Sequence, residues 1–270
     1  MKKILKKFIN NIKSKKFIAF VLILVLFLCV SPTFSASAEA ESETRELNLF
    51  EKFLQSRFWE VTKSLITGLG QNTIIFFVTL IFALPLGMVV TFGLTSKITP
   101  IKLLCKFLVW IVRGSPLLLQ LYIVFYVPGL IFGIPMRQRL LAALIAFIIN
   151  YSMYFAEIYR GALENIPKGQ FEAGKVLGLS KTQVFFHVIL FQVIKRITAP
   201  ISNEVITLVK DTSLARVIAV QEILMNATRY TAYGLIWPLF YSGVFFLGAT
   251  AFLTFFFGRL ERRVNHATGE

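Results

Sequence analysis

After residue 65 the chain alternates between long apolar stretches and short basic or polar ones. Five apolar stretches stand out, at about 69 to 94, 104 to 127, 139 to 159, 197 to 220 and 234 to 258. Each reaches the roughly 20 residues that a helix needs to cross a bilayer. Only helices and closed barrels satisfy their backbone groups in lipid. Here apolar residues follow one another without two-residue alternation, which argues against a barrel. Five membrane-spanning helices are predicted. The second stretch is interrupted by Arg113-Gly114-Ser115-Pro116, and Pro116 predicts a broken helix with freed backbone groups. The fourth is less apolar and contains Glu204, Lys210 and Asp211.

The N-terminal region has a different pattern. Residues 1 to 16 are strongly basic, residues 17 to 30 (FIAFVLILVLFLCV) are apolar, and Ala36-Ser37-Ala38 has the small-x-small form of a cleavage site. That order predicts a signal peptide over 1–38, with a retained signal anchor as the alternative. Residues 39–65 form a polar, acidic-rich segment, in which LFEKFLQSRFWEV predicts a short amphipathic surface helix. With the leader lysines inside, this segment is extracytoplasmic. The spans then occupy 66–263, and a cytoplasmic tail follows at 264–270. This topology places Lys97, Lys102, the 160–196 loop and Arg259, Arg262 and Arg263 on the cytoplasmic side, as the positive-inside rule expects.

Composition agrees with this class. Hydrophobic residues make up 56% of the 270, above the roughly 45–50% of soluble domains. The net charge of +15 would suggest nucleic acid on a soluble chain, but its concentration in the cytoplasmic loops accounts for it without such a partner. Cys29 and Cys105 have no metal-ligand spacing, and His187 and His266 stand far apart. No catalytic residues, metal site or cofactor bound by this chain are therefore expected.

The 160–196 loop contains GQFEAGKVLGLS, residues 169 to 180. Gly169 to Lys175 fits the first seven positions of a phosphate loop. Val176 then stands where a Ser or Thr hydroxyl would hold magnesium, and the preceding EIYRGALENIPK is no buried strand. Two short helices are predicted instead. Pro167 suits a first turn, Gly178 a left-handed stop, and Ser180 with Gln183 a capping box. Such a protrusion suits a grip by a cytoplasmic partner.

Residues 172 to 191, EAGKVLGLSKTQVFFHVILF, resemble the EAA loop of ABC importer permeases. That pattern is Glu-Ala-Ala, three residues, Gly, then nine residues and Ile-x-Leu-Pro. Glu172, Ala173, Gly178 and Leu190 match, whereas Gly174 replaces the second Ala and Phe191 replaces Pro. VRGSPLLLQLY (112–122), YFAEIYRGALENIPKGQFEAG (154–174) and NEVITLVKDTSLARVIAVQEIL (203–224) are similar to segments of the polar amino acid branch, and the likeness spans roughly 66 to 263. The resemblance implies an all-α, five-span, type I-like transmembrane domain in the cell membrane. It also implies a second permease subunit (self or paralogue), a cytoplasmic ABC ATPase dimer carrying ATP and Mg, and an extracytoplasmic amino acid-binding protein. Glu172, Ala173, Gly174, Leu177, Gly178, Leu179 and Ser180 would then form the ATPase-coupling loop.

Ionisable groups at membrane depth usually face a cavity or one another. Arg113, Glu157, Glu204, Lys210 and Asp211 are the ionisable groups at that depth; among them Arg113, Glu157, Lys210 and Asp211 are candidates for an amino acid pathway, with Ser115, Thr212 and Ser213 as polar neighbours. Arg113 suits a substrate carboxylate, and Asp211 or Glu157 a substrate amine. Pairing of Arg113 or Lys210 with a carboxylate on another span is the alternative. A secondary transporter and a non-transporting membrane scaffold are the competing functions. The first predicts an internal repeat, and none is evident.

Overall fold

The computed structural model describes the backbone of residues 44–266 and the side chains of residues 57–264. The expected signal peptide lies outside the described residues. All regular elements among the described residues are helical. Four helices are long and apolar enough to cross a membrane, and a bent pair supplies a fifth crossing if counted as one.

The first helix, α1, runs unbroken over Thr44–Leu94 for 51 residues. The expected separate surface helix is thus continuous with the first span. The reason is local: no Pro or Gly occurs between Thr44 and Thr67, so nothing stops the helix. At 1.5 Å per residue it is about 76 Å long, more than twice the roughly 30 Å hydrocarbon core.

The second apolar stretch consists of two helices, α2 (Thr99–Gly114) and α3 (Leu117–Phe132), bent by 106°. The expected Pro116 break is present, and its freed groups are satisfied from within. In an unbroken helix residue 116 would donate to the Val112 carbonyl, and Pro116 cannot. Gln120 Nε2 takes over that role, donating to Val112 O at 2.7 Å and to Ser115 Oγ at 2.9 Å. Ser115 Oγ in turn donates to Ile111 O at 2.9 Å. Gln120 Oε1 accepts from Asn150 Nδ2 at 3.0 Å, which pins the bend to the next span.

That span, α4 (Arg139–Glu164), is the most enclosed, with 56% of its apolar window buried. Helix α1 packs along it. A Cβ at Gly87 would lie 2.9 Å from Phe155 Cβ and 3.0 Å from Ser152 O, so the glycine permits this approach. Thr91 Oγ1 donates across it to Ala156 O at 3.0 Å. Phe147, Tyr151 and Phe155 fill the core of the bundle.

In the loop, α5 spans Lys168–Val176 with Pro167 at the N-cap, one position earlier than the expected first turn. Helix α6 begins at Lys181. It is not a second short helix. It passes through a π-turn at Phe185–Ile189 into α7, Leu190–Asp211. The helix that contains the fourth apolar stretch therefore starts in the loop, well before residue 197, and its α-helical part ends at Asp211. Residues Thr212–Ile218 tighten into a 3₁₀ helix that stops at Ala219, in the left-handed region at φ 59°.

Glu222 then caps α8 (Ile223–Arg229), accepting from Leu224 N at 2.8 Å and Met225 N at 2.5 Å. Asn72 of α1 joins these pieces. It donates to Thr212 Oγ1 at 2.9 Å and accepts from Ile223 N at 3.0 Å. The last span, α9, covers Trp237–His266.

Candidate functional site

The loop end of the site is built by a helix stop. Helix α5 closes with Leu179 N donating to Gly174 O at 3.0 Å and Gly178 N to Lys175 O at 3.0 Å. This is a Schellman turn, which places its left-handed residue at Gly178, and Gly178 has φ +71°. Ser180 and Gln183 form both bonds of the capping box, at 2.8 and 3.3 Å. Leu179 packs inward with Ile166, Val184 and Ile189. Glu172, Ala173, Leu177, Gly178 and Ser180 are exposed. Val176 and Leu177 are 87% and 75% exposed, an apolar tip left uncovered by the described residues. The phosphate-loop pattern lies within α5, where helical hydrogen bonds use the backbone N–H groups.

Gly174 is the buried member of the loop. A Cβ there would lie 2.4 Å from Val184 Cγ2, so the two elements touch without a gap. The departure from the EAA pattern at 174 is thus matched by a bulky Val184. Gly174→Ala is expected to push α5 off α6 and weaken the loop by about 1–3 kcal/mol. The double variant Gly174→Ala/Val184→Ala should recover most of that loss. Protease-nicking rates within residues 165–185 would measure both.

Two adjoining cavities occupy the membrane domain, and Tyr154 lines both. The first, about 290 Å³, is lined by Ser115, Asn150, Tyr151, Glu204, Thr207 and Asp211, among others. Tyr151 Oη donates to Asp211 Oδ2 at 2.8 Å. The second, about 500 Å³ and nearer the loop, is lined by Lys106, Trp110, Arg113, Glu157 and Arg160, among others. Glu157 is held chiefly by Arg160, which bonds both of its oxygens. Arg113 stands 3.7 Å from Glu157 and 5.1 Å above the Tyr154 ring. Arg160 also bonds Glu164.

The seven predicted pathway residues therefore separate. Ser115 and Asp211 share the first cavity, while Arg113 and Glu157 share the second and pair there. Lys210 and Ser213 turn to another groove, against Leu239 and Ser242 of the last span. Thr212 is buried in the Asn72 network. Successive residues on a helix point 100° apart, so neighbours in the text become opponents in space. Gln120, Asn150, Tyr151, Tyr154 and Arg160 join the site without having been predicted. Each is an uncharged or loop-flanking residue in an otherwise helical pattern. For Gln120 a signal did exist: a polar amide four residues after a proline that removes a donor.

No group of three or more His, Cys, Asp or Glu among the described residues could hold a metal. What the geometry offers is two polar-lined cavities and an exposed protrusion on the loop, and the chain is similar to known proteins. Over 183 residues the chain is 36% identical to the L-cystine transport system permease protein TcyB of Bacillus subtilis, covering 67% of this chain and 76% of that one. Over 217 residues it is 31% identical to the glutamine transport system permease protein GlnP of Escherichia coli, covering 79% and 98%. Among solved structures, an amino acid ABC transporter crystallised with histidines aligns with TM-score 0.71 at 26% identity, over 77% of this chain and 97% of that one. The MetNI methionine ABC transporter, with TM-score 0.60 at 20% identity, shares the fold. The model of the binding-protein-dependent transport system inner membrane components matches residues 83–266, a range that holds the broken span, both cavities and the loop. This chain belongs to that family, the membrane permeases of ABC importers.

Proposed function

We propose that the chain is the membrane subunit of an ATP-driven importer of polar amino acids. It forms the passage and takes its power from a separate cytoplasmic ATPase dimer, which carries the ATP and Mg. A second permease subunit and an extracytoplasmic amino acid-binding protein complete the assembly. The C-terminus and the 160–196 loop lie in the cytoplasm, where their basic residues favour them. Relatives that carry L-cystine and glutamine support the substrate class.

The single observation that carries this reading is the exposed tip at Val176 and Leu177, at the end of a short helix that packs through Gly174 on Val184 of the helix reaching Asp211. A secondary transporter has no use for such a tip. The test is co-purification with the ATPase, comparing wild type with Gly178→Val. Beyond its chain neighbours no atom lies within 4 Å of the added Cβ position, so the Cβ itself meets open space. Valine instead resists φ +71°, at a cost of about 1–2 kcal/mol. Co-purified ATPase is expected to fall about tenfold. A wild-type chain that binds no ATPase would overturn the importer reading.

A further inference from the structure

Helix α9 is the least covered of the four long apolar helices, with only 6% of its apolar window buried. It packs on α7 and α8, and a groove of about 200 Å³ separates it from α1. Leu69, Phe76 and Phe77 line the α1 side of that groove, and Phe245, Ala249 and Phe252 the α9 side. Its polar groups are engaged within the chain: Asn72 donates to Thr212 Oγ1 at 2.9 Å, and Thr73 Oγ1 to Leu69 O at 2.8 Å. The space left is apolar, and too small to seat another helix, which is about 10 Å across.

The α9 side of the groove continues toward the C-terminus. Phe245, Ala249, Phe252, Phe256, Arg259 and Arg263 follow one another at alternating steps of four and three, so they form one stripe. Phe252 and Phe256 are 67% and 52% exposed, and Arg259 and Arg263 are exposed too. Arg259 lies over the Phe255 ring, 4.0 Å from its centroid. Among the described residues neither arginine stands in an ion pair. Glu261, between them in sequence, falls on the opposite side of the helix at 100° per residue. From Phe252 to Arg263 the helix rises about 16 Å, close to half of the roughly 30 Å hydrocarbon core.

From this we infer that the stripe binds one anionic phospholipid of the leaflet around the C-terminal end of α9. Arg259 and Arg263 take its phosphate, as guanidinium groups do through paired, charge-assisted hydrogen bonds. An acyl chain runs along Phe256 and Phe252 and enters the groove between α1 and α9. Two unpaired cations one leaflet depth from an apolar groove match a phosphate and its chain in both charge and length. A zwitterionic lipid offers the same chain, but its own cation competes with the arginines for the phosphate. The lipid thus fills the gap that the protein leaves between α1 and α9. This inference needs only that α9 crosses the bilayer, and it does not depend on the ATPase.

The experiment offers the full chain, in neutral detergent, equal amounts of dioleoyl phosphatidylglycerol and dioleoyl phosphatidylcholine. Native mass spectrometry then counts the lipids retained. Phosphatidylglycerol should be retained about tenfold or more over phosphatidylcholine, since two arginines near a charged surface correspond to roughly thirtyfold. Arg259→Gln/Arg263→Gln should remove that preference. Lys97→Gln/Lys102→Gln removes the same charge elsewhere and should leave it intact. Ala249→Trp fills the groove and should lower retention of both lipids. Excess glycerol phosphate should not displace the lipid. Circular dichroism in lipid-free detergent verifies that each variant keeps its helices. Equal retention of the two lipids, or a preference unchanged in the arginine variant, would overturn the inference. An equal loss in the lysine variant would do so by showing diffuse attraction, and displacement by glycerol phosphate by showing a free-anion site. A lipid-free dimer that Ala249→Trp breaks would give the stripe to a second copy of the chain and overturn it as well.

Discussion

Asp211→Asn is expected to lower amino acid uptake about tenfold or more while leaving ATPase association unchanged. The substitution is close to isosteric, and an asparagine oxygen can still accept the Tyr151 hydroxyl, which now bonds Asp211 at 2.8 Å. Only the charge is removed. Hydrogen bonds to charged groups contribute roughly 1.5–3 kcal/mol, which corresponds to a factor of about ten to a hundred in affinity. Uptake in proteoliposomes, normalised to co-purified ATPase, measures the effect. Normal uptake by Asp211→Asn would remove Asp211 from the passage. Tyr151→Phe separates charge from placement: it keeps the carboxylate and frees its position, so a smaller loss is expected.

The second large effect is structural. Gly68→Ala should destabilise the fold, and Gly70→Ala, two residues along the same helix, should not. A Cβ at Gly68 would lie 2.7 Å from both Cα and N of Ile223 and 2.8 Å from Asn226 Nδ2. Backbone cannot rotate away as a side chain can, so α1 and α8 must separate. That endangers the Asn226-to-Ser64 bond of 2.8 Å and the Ile223-to-Asn72 bond of 3.0 Å. Overpacking of this kind costs about 1–3 kcal/mol. At Gly70 nothing lies within 4 Å, and alanine in a helix gains roughly 0.5–1 kcal/mol over glycine. Thermal unfolding in detergent should therefore shift in opposite directions for the two variants. A shift of the same sign for both would show that the contact at Ile223 does not hold these helices together.

What was legible in the sequence was local. Gly178, Ser180 and Gln183 act within a few residues of one another, and their turn and cap formed as their chemistry dictates. Pro116 announced its break because a missing N–H is a property of one residue. The groups that complete the site depend on contacts far along the chain. Tyr151 finds Asp211 across 60 residues and Asn72 finds Thr212 across 140. No spacing rule foretells such pairs. Helical phase explains the other gap: Lys210 and Asp211 are adjacent in sequence, and only the rotation of α7 decides which one enters the cavity. The length of the helix around the fourth apolar stretch was hidden for a related reason. Polarity at Lys195 and Arg196 looks like a loop, yet helical residues continue through it from Lys181.

That continuity makes the fourth span a stiff beam. From Lys181 to Asp211 it is about 45 Å long at 1.5 Å per residue. One end bears on Gly174 through Val184, and the other carries the carboxylate that Tyr151 holds. A tilt of roughly 10° about its midpoint displaces each end by about 4 Å on that length. A hydrogen bond tolerates only a few tenths of an ångström. Force applied at the loop would thus reach the cavity as a bond made or broken, with the π-turn at Phe185–Ile189 and the helix-interior Pro200 as the irregular sections between load and latch.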